Sequence, residues 1–156
     1  MACAQRKADV VRPYKDLYMA EKLKLELVTP YKKVLAEEVD EITAVGSLGE
    51  FGVLPGHAPF LTSLKPGEFS YKAGNTVFHL AVSWGYFEVE NDLVTVLVET
   101  AERADEIDLE RAKAALGRAE EKLTRLNAED HDFRVYEAAL ERAIIRVQVA
   151  AKAGRK

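Results

Sequence analysis

The chain has 156 residues, 48% of them hydrophobic and 31% charged, enough apolar material for a packed core. Its net charge of −4 argues against a nucleic-acid surface. The lone cysteine, Cys3, excludes an intrachain disulfide framework and a zinc cluster, and no apolar run approaches the roughly 20 residues that span a bilayer. Any work at a membrane would therefore go through a partner. Charge is unevenly spread: residues 19–104 carry seven Lys/Arg against thirteen Asp/Glu, whereas residues 105–156 carry eleven of each. An acidic body is followed by a balanced, salt-bridge-laced segment.

Residues 1–18, "MACAQRKADVVRPYKDLY", lack an apolar core pattern and read as a disordered extension. Asp9 and Asp16 argue against a transit peptide. Met19 then opens "MAEKLKLELVTP", which reads like a natural start. In "KLKLELV", Leu23, Leu25 and Leu27 fall on one face and Lys22, Lys24 and Glu26 on the other. "TVFHLAV", "YFEVE" and "LVTVLVE" continue the strand signal with β-branched and aromatic residues. Thr29-Pro30, Pro66-Gly67, Gly74-Asn75 and Asn91-Asp92 punctuate them as turns. Short strands at this spacing predict an antiparallel β-sandwich or barrel of eight to ten strands over residues 19–104.

Within this region "GEFGVLPGHAP" (49–59) has the composition of a built loop. Pro55-Gly56 suits the centre of a type II turn, and Pro59 drives Ala58 to an extended conformation. The loop has neither a Walker ending nor a G-x-G-x-x-G. His57, His79 and His131 share no metal-ligand spacing, and no nucleophile accompanies His57. A stiff loop presenting Glu50 and His57 suits recognition, since it loses little entropy on docking.

From residue 108 the period changes. Leu109, Ala112, Leu116, Ala119, Leu123 and Leu126 recur at steps of three and four. After "NAEDHD" a second seam runs through Phe133, Tyr136, Leu140, Ala143, Val147 and Ala150. Two such helices joined by a short polar turn predict an antiparallel hairpin over residues 105–156. Seams this narrow predict marginal, reversible docking on the sandwich. Arg111 and Arg118 lie two helical turns apart on one face, and Arg142 and Arg146 one turn apart on another. Folded together they could hold a polyphosphate, with Glu102 and Asp108 orienting arginines or meeting ribose or adenine. Spacing alone favours a plainer reading, with Asp108 as helix N-cap and the arginines as solvated partners of Glu110, Glu121 and Glu141.

"ELVTP", "GEFGVLPGHAPFLTSLKPG", "VSWGYFEVENDLVTVLVETAERADEIDLERA" and "DFRVYEAALERAIIRV", in order from Glu21 to Val149, resemble the epsilon subunit of bacterial F-type ATP synthases. The mitochondrial relative is called delta. The resemblance implies a ten-stranded β-sandwich followed by a helical hairpin. It implies a non-catalytic rotor subunit of a proton-translocating complex, peripheral on the cytoplasmic face of the bacterial inner membrane. Its implied partners are the gamma subunit and the c-subunit ring, with the alpha/beta hexamer reached when the hairpin extends. Membrane contact would be indirect, and nucleic acid has no place. The loop matches a rotor-contact loop through Glu50, Gly52, Pro55, Gly56, His57 and Pro59. The resemblance implies no obligatory cofactor and no metal, but in some members ATP binds the folded hairpin. The matching residues here are Glu102, Ile107, Asp108, Arg111, Ala112, Arg118, Arg142 and Arg146, an agreement that favours the polyphosphate reading. The alternative from a different class is a free-standing ligand-binding sandwich with a helical dimerisation arm. A third, a small hydrolase using His57 with Glu50, lacks a visible nucleophile.

Overall fold

The computed structural model describes residues 22–153. The expected extension at 1–18 lies outside them. Ten strands come first: β1 (Leu23–Val28), β2 (Lys33–Val39), β3 (Glu41–Gly46), β4 (Gly49–Val53), β5 (Phe60–Leu64), β6 (Gly67–Ala73), β7 (Thr76–Val82), β8 (Gly85–Glu90), β9 (Leu93–Val98) and β10 (Ala101–Arg103). Two helices follow, α1 (Leu109–Leu123) and α2 (Phe133–Ala150).

The strands form one continuous sheet in the order β10-β7-β6-β3-β5-β8-β9-β1-β2, with β4 paired to β3, folded over a shared core as a sandwich. The alternation in β1 is literal: Leu23, Leu25 and Leu27 are fully buried, and Lys24 is exposed between them. They meet Val39, Ile42, Val53, Phe69, Phe87 and Val96. Each such side chain contributes about 1.5–3 kcal/mol by leaving water. One pairing departs from the antiparallel expectation. β1 runs parallel to β9, with Leu25 opposite Val94 and Leu27 opposite Val96. Strands this far apart in sequence need no tight turn, so local turn chemistry does not dictate their sense.

α1 starts where the sequence indicates. Asp108 is its N-cap, its Oδ1 accepting the Arg111 backbone N–H at 2.9 Å. The hairpin interior is lined by small residues: Ala112, Ala119 and Ala143 are buried, while Leu116, Leu123 and Leu140 are half-buried. A second apolar cluster, Ala81, Ala104, Ile107, Ala112 and Val149, joins hairpin to sandwich, with Ile145, Val147 and Ala150 against it. The helical arm is thus folded back, α2 lying along β6 and β7.

Candidate functional site

The loop between β4 and β5 is held at three points. The Leu54 carbonyl accepts the His57 N–H at 3.1 Å, and Gly56 has φ of +81°, so Leu54-Pro55-Gly56-His57 is the expected type II turn. The Gly56 N–H donates to Asp92 Oδ1 at 2.6 Å, tying the loop to the β8–β9 turn. The His57 ring meets Phe60 edge-on (5.7 Å), Phe60 meets Phe51 (5.3 Å), and Phe51 meets the buried Phe87 (4.9 Å). An aromatic ladder therefore runs from loop to core. His57 Nδ1–H donates to the Ala58 carbonyl at 2.7 Å, so this ring nitrogen is occupied by its own loop. The expected loop at 49–59 is shorter than its composition suggested: Gly49–Val53 pair with β3 as strand β4, and the loop proper begins at Leu54. Glu50 and Gly52 therefore sit opposite Val45 and Thr43 in the ladder, with Glu50 exposed. Leu54, 58% exposed, opens the loop, whereas Leu48, 100% exposed, lies in the β3–β4 turn at the opposite end of β4.

Asp92 was visible in sequence only as half of a turn. Its role as the anchor of Gly56 arises from residues 36 positions apart. Replacing it by Ala removes a charge-assisted bond at an exposed site and is expected to cost about 1 kcal/mol. Amide exchange at Gly56 and His57 should accelerate while strand amides stay protected. Unchanged loop exchange would show that the turn holds itself.

The arginine set divides. Glu102, Arg142 and Arg146 line one cleft of about 300 Å³ between α2 and the sheet, with Ser83, Thr100 and Ala143. Arg146 Nε donates to Glu102 Oε2 at 2.6 Å. The Arg142 guanidinium lies 5.5 Å from the centroid of Trp84, within cation–π range. Ile107 and Ala112 are buried in the apolar cluster beneath the hairpin, and Asp108 caps α1. Arg111 and Arg118 are exposed and lie outside the walls of that cleft. The structure thus joins one arginine pair to Glu102 and leaves the other pair on the hairpin surface.

Sequence reasoning missed a second feature. A more open apolar cleft of about 630 Å³ lies at the end of the sandwich, walled by Val28, Pro30, Leu64, Trp84, Tyr86 and Leu97. Tyr86 and Leu97 are 62% and 50% exposed, directly opposite each other on β8 and β9, and Leu97 is opposite Val28. Cross-strand pairing made this patch, so no local run of residues announced it. Among the described residues, no group of three His, Cys, Asp or Glu is placed to hold a metal ion, and no helix is long and apolar enough to cross a membrane.

Fold and surfaces together define a β-sandwich with a folded-back helical arm, whose conspicuous outer features are a stiffened loop, an apolar patch and a basic cleft. Residues 22–104 match the family model of the ATP synthase delta/epsilon chain beta-sandwich domain, and residues 105–151 that of its long alpha-helix domain. The chain belongs to the ATP synthase delta/epsilon family. It is 80% identical over 138 residues to the ATP synthase epsilon chain of Geotalea daltonii, covering 88% of this chain and all of that one. The epsilon chain of Geobacter sulfurreducens is 76% identical over the same coverage. Among solved structures, a chain of the Euglena gracilis mitochondrial ATP synthase (OSCP/F1/c-ring) is similar, with a TM-score of 0.72 and 28% identity over 83% of this chain and 81% of that one. A chain of the Tetrahymena thermophila mitochondrial ATP synthase central stalk and c-ring shares the fold, with a TM-score of 0.55 and 19% identity over 85% of this chain and 96% of that one.

Proposed function

We propose that this chain is a non-catalytic central-stalk subunit of a proton-translocating F-type ATP synthase, linking the gamma subunit to the c ring. The observation that carries this reading is the pairing of a bolted loop with large exposed apolar side chains. Leu54 is exposed at the loop, Leu48 at the β3–β4 turn, and Leu61, Tyr86 and Leu97 on β5, β8 and β9. Contiguous exposed apolar side chains, as at Tyr86 and Leu97 beside the 630 Å³ cleft, mark a surface that another protein covers. The loop with His57, together with Glu50 on the adjoining β4, suits the c ring, and the apolar patch suits gamma. The chain would then sit peripherally on the cytoplasmic face of the inner membrane, held there by its partners.

The hairpin supplies regulation. Folded back it leaves the alpha/beta hexamer free; extended along gamma it restrains ATP hydrolysis. ATP is the regulatory ligand, its phosphates taken by Arg142 and Arg146 at the cleft and, further out, by Arg111 and Arg118. A cleft of this volume lies at the lower end of the about 300–1,000 Å³ usual for small-molecule sites, so part of the nucleotide would lie outside it. ATP binding only the compact hairpin would stabilise it by about 2.7 kcal/mol at a hundredfold excess over its dissociation constant.

The experiment is co-purification from native membranes. The rotor reading expects the chain to leave the membrane only with a large ATPase complex. The 630 Å³ apolar cleft gives the second reading, a free-standing ligand-binding sandwich, its physical basis. A soluble homodimer free of ATPase subunits would establish that second reading instead.

A further inference from the structure

The open end of the hairpin, where α2 ends beside the start of α1, is fastened outside the walls of the arginine cleft. Lys152, just beyond α2, lies six residues past Arg146, about 9 Å along a helix at 1.5 Å per residue. Its Nζ donates to both carboxylate oxygens of Glu68 on β6, at 2.7 and 2.5 Å. Glu68 Oε1 is also 2.6 Å from His79 Nδ1 on the neighbouring strand β7. Ser70 and His79 are directly opposed in that ladder, so Glu68 and His79 share the outer face onto which α2 packs. Glu68 is 28% and Lys152 37% exposed at the side chain, so solvent screens this pair less than the surface pairs within α1. Burial raises the Glu68 pKa, but the Lys152 and His79 hydrogen bonds and charges outweigh it, and the carboxyl is held below its ordinary 4.5. A depressed carboxylate contributes its stabilisation fully above that value and loses it as pH falls below.

Beside the apolar cluster around Val149, the other side-chain contacts holding α2 down are of a different kind. Arg146 on Glu102 and Arg142 on Trp84 use the side chains that phosphate would compete for. A bound nucleotide would exchange those contacts for its own. Glu68, His79 and Lys152 are not among the walls of that cleft, so their contact does not use the side chains that phosphate would compete for. We propose that Glu68, oriented by His79 and clamped by Lys152, is a latch that holds the hairpin on the sandwich independently of nucleotide and thereby sets how much ATP is needed to keep it docked. The proposal rests on the mobile-hairpin reading above.

The test is hydrogen exchange of the full-length protein, comparing helix amides with strand amides, in Glu68→Gln, Lys152→Met, the double variant and Lys152→Arg. Glu110→Gln, which breaks only a surface pair within α1, is the control. Without nucleotide, Glu68→Gln and Lys152→Met should each speed helix exchange about five- to tenfold, as expected for losing a charge-assisted pair. The double variant should add nothing more, Lys152→Arg should stay near wild type, and more ATP should be needed to restore protection in the faster variants. Wild-type helices that exchange faster than the strands but at the same rate in every variant would overturn the latch and leave the mobile hairpin standing. Helices that exchange only in step with the strands, in all variants, would overturn both.

Discussion

Gly85→Ala should destabilise the sandwich severely. Gly85 opens β8 and is paired to both Leu64 on β5 and Val98 on β9. A Cβ added there would lie 1.9 Å from the Leu97 carbonyl oxygen and 2.8 Å from Val98 Cα. Both are backbone atoms of the partner strand, so no rotamer change relieves them. β8 and β9 would have to part at the end of their ladder, beside the 630 Å³ cleft. Ordinary overpacking costs about 1–3 kcal/mol, and a clash with backbone should reach or exceed the upper value. For a domain of this size that lowers Tm by about 10 °C or more. The same chemical change at Gly117, inside α1, should have the opposite sign. An added Cβ there meets nothing within 4 Å, and Ala exceeds Gly in helix propensity by about 1 kcal/mol. Thermal or urea melts of the two variants check the pair. Gly85→Ala melting within two or so degrees of wild type would contradict the close approach of β8 and β9.

Arg142→Ala should lower ATP affinity about tenfold to a hundredfold, the equivalent of losing about 1.5–3 kcal/mol of charged hydrogen bonding to phosphate. Arg146→Ala should behave similarly and also leaves Glu102 without its partner. Arg118→Ala should have the smaller effect, because Arg118 is exposed and lies outside the cleft walls. Melting of the strands should not change in any of them, since the core is drawn from β1 to β9. Calorimetry reads the affinity directly. Trp84, the only tryptophan of the chain, gives an independent signal, because losing the Arg142 guanidinium alters its surroundings. Absence of ATP binding by the wild-type protein, or identical binding by Arg142→Ala, would remove the ATP-sensing part of the proposal and leave the rotor role intact.

What the sequence disclosed and what it hid follow a physical line. The β1 alternation, the Leu54–His57 turn and the Asp108 cap were legible because each is decided by residues within a few positions of one another. The β1–β9 pairing, the Gly56–Asp92 bond and the Glu68–Lys152 contact were not, because each joins residues brought near only by the fold. Helix seams fall between. The heptad reading of α2 found Ala143, which is buried, but passed over Val149, which is fully buried as well. α2 faces α1 on one side and β6–β7 on another, and a single periodic seam describes only one of them. The arginines illustrate the same limit. Spacing grouped Arg111 with Arg118 and Arg142 with Arg146, and only the fold distinguishes the pair beside Glu102 from the exposed pair.

The central claim is that this chain works at the junction of rotor components through its loop end. A photo-reactive amino acid at Leu54, exposed at the loop tip and outside every regular element, tests it in native membranes. The account predicts an adduct with the c subunit, its yield reduced by Asp92→Ala as the loop loosens. Adducts only with a second copy of this chain, in a fraction free of ATPase subunits, would contradict it.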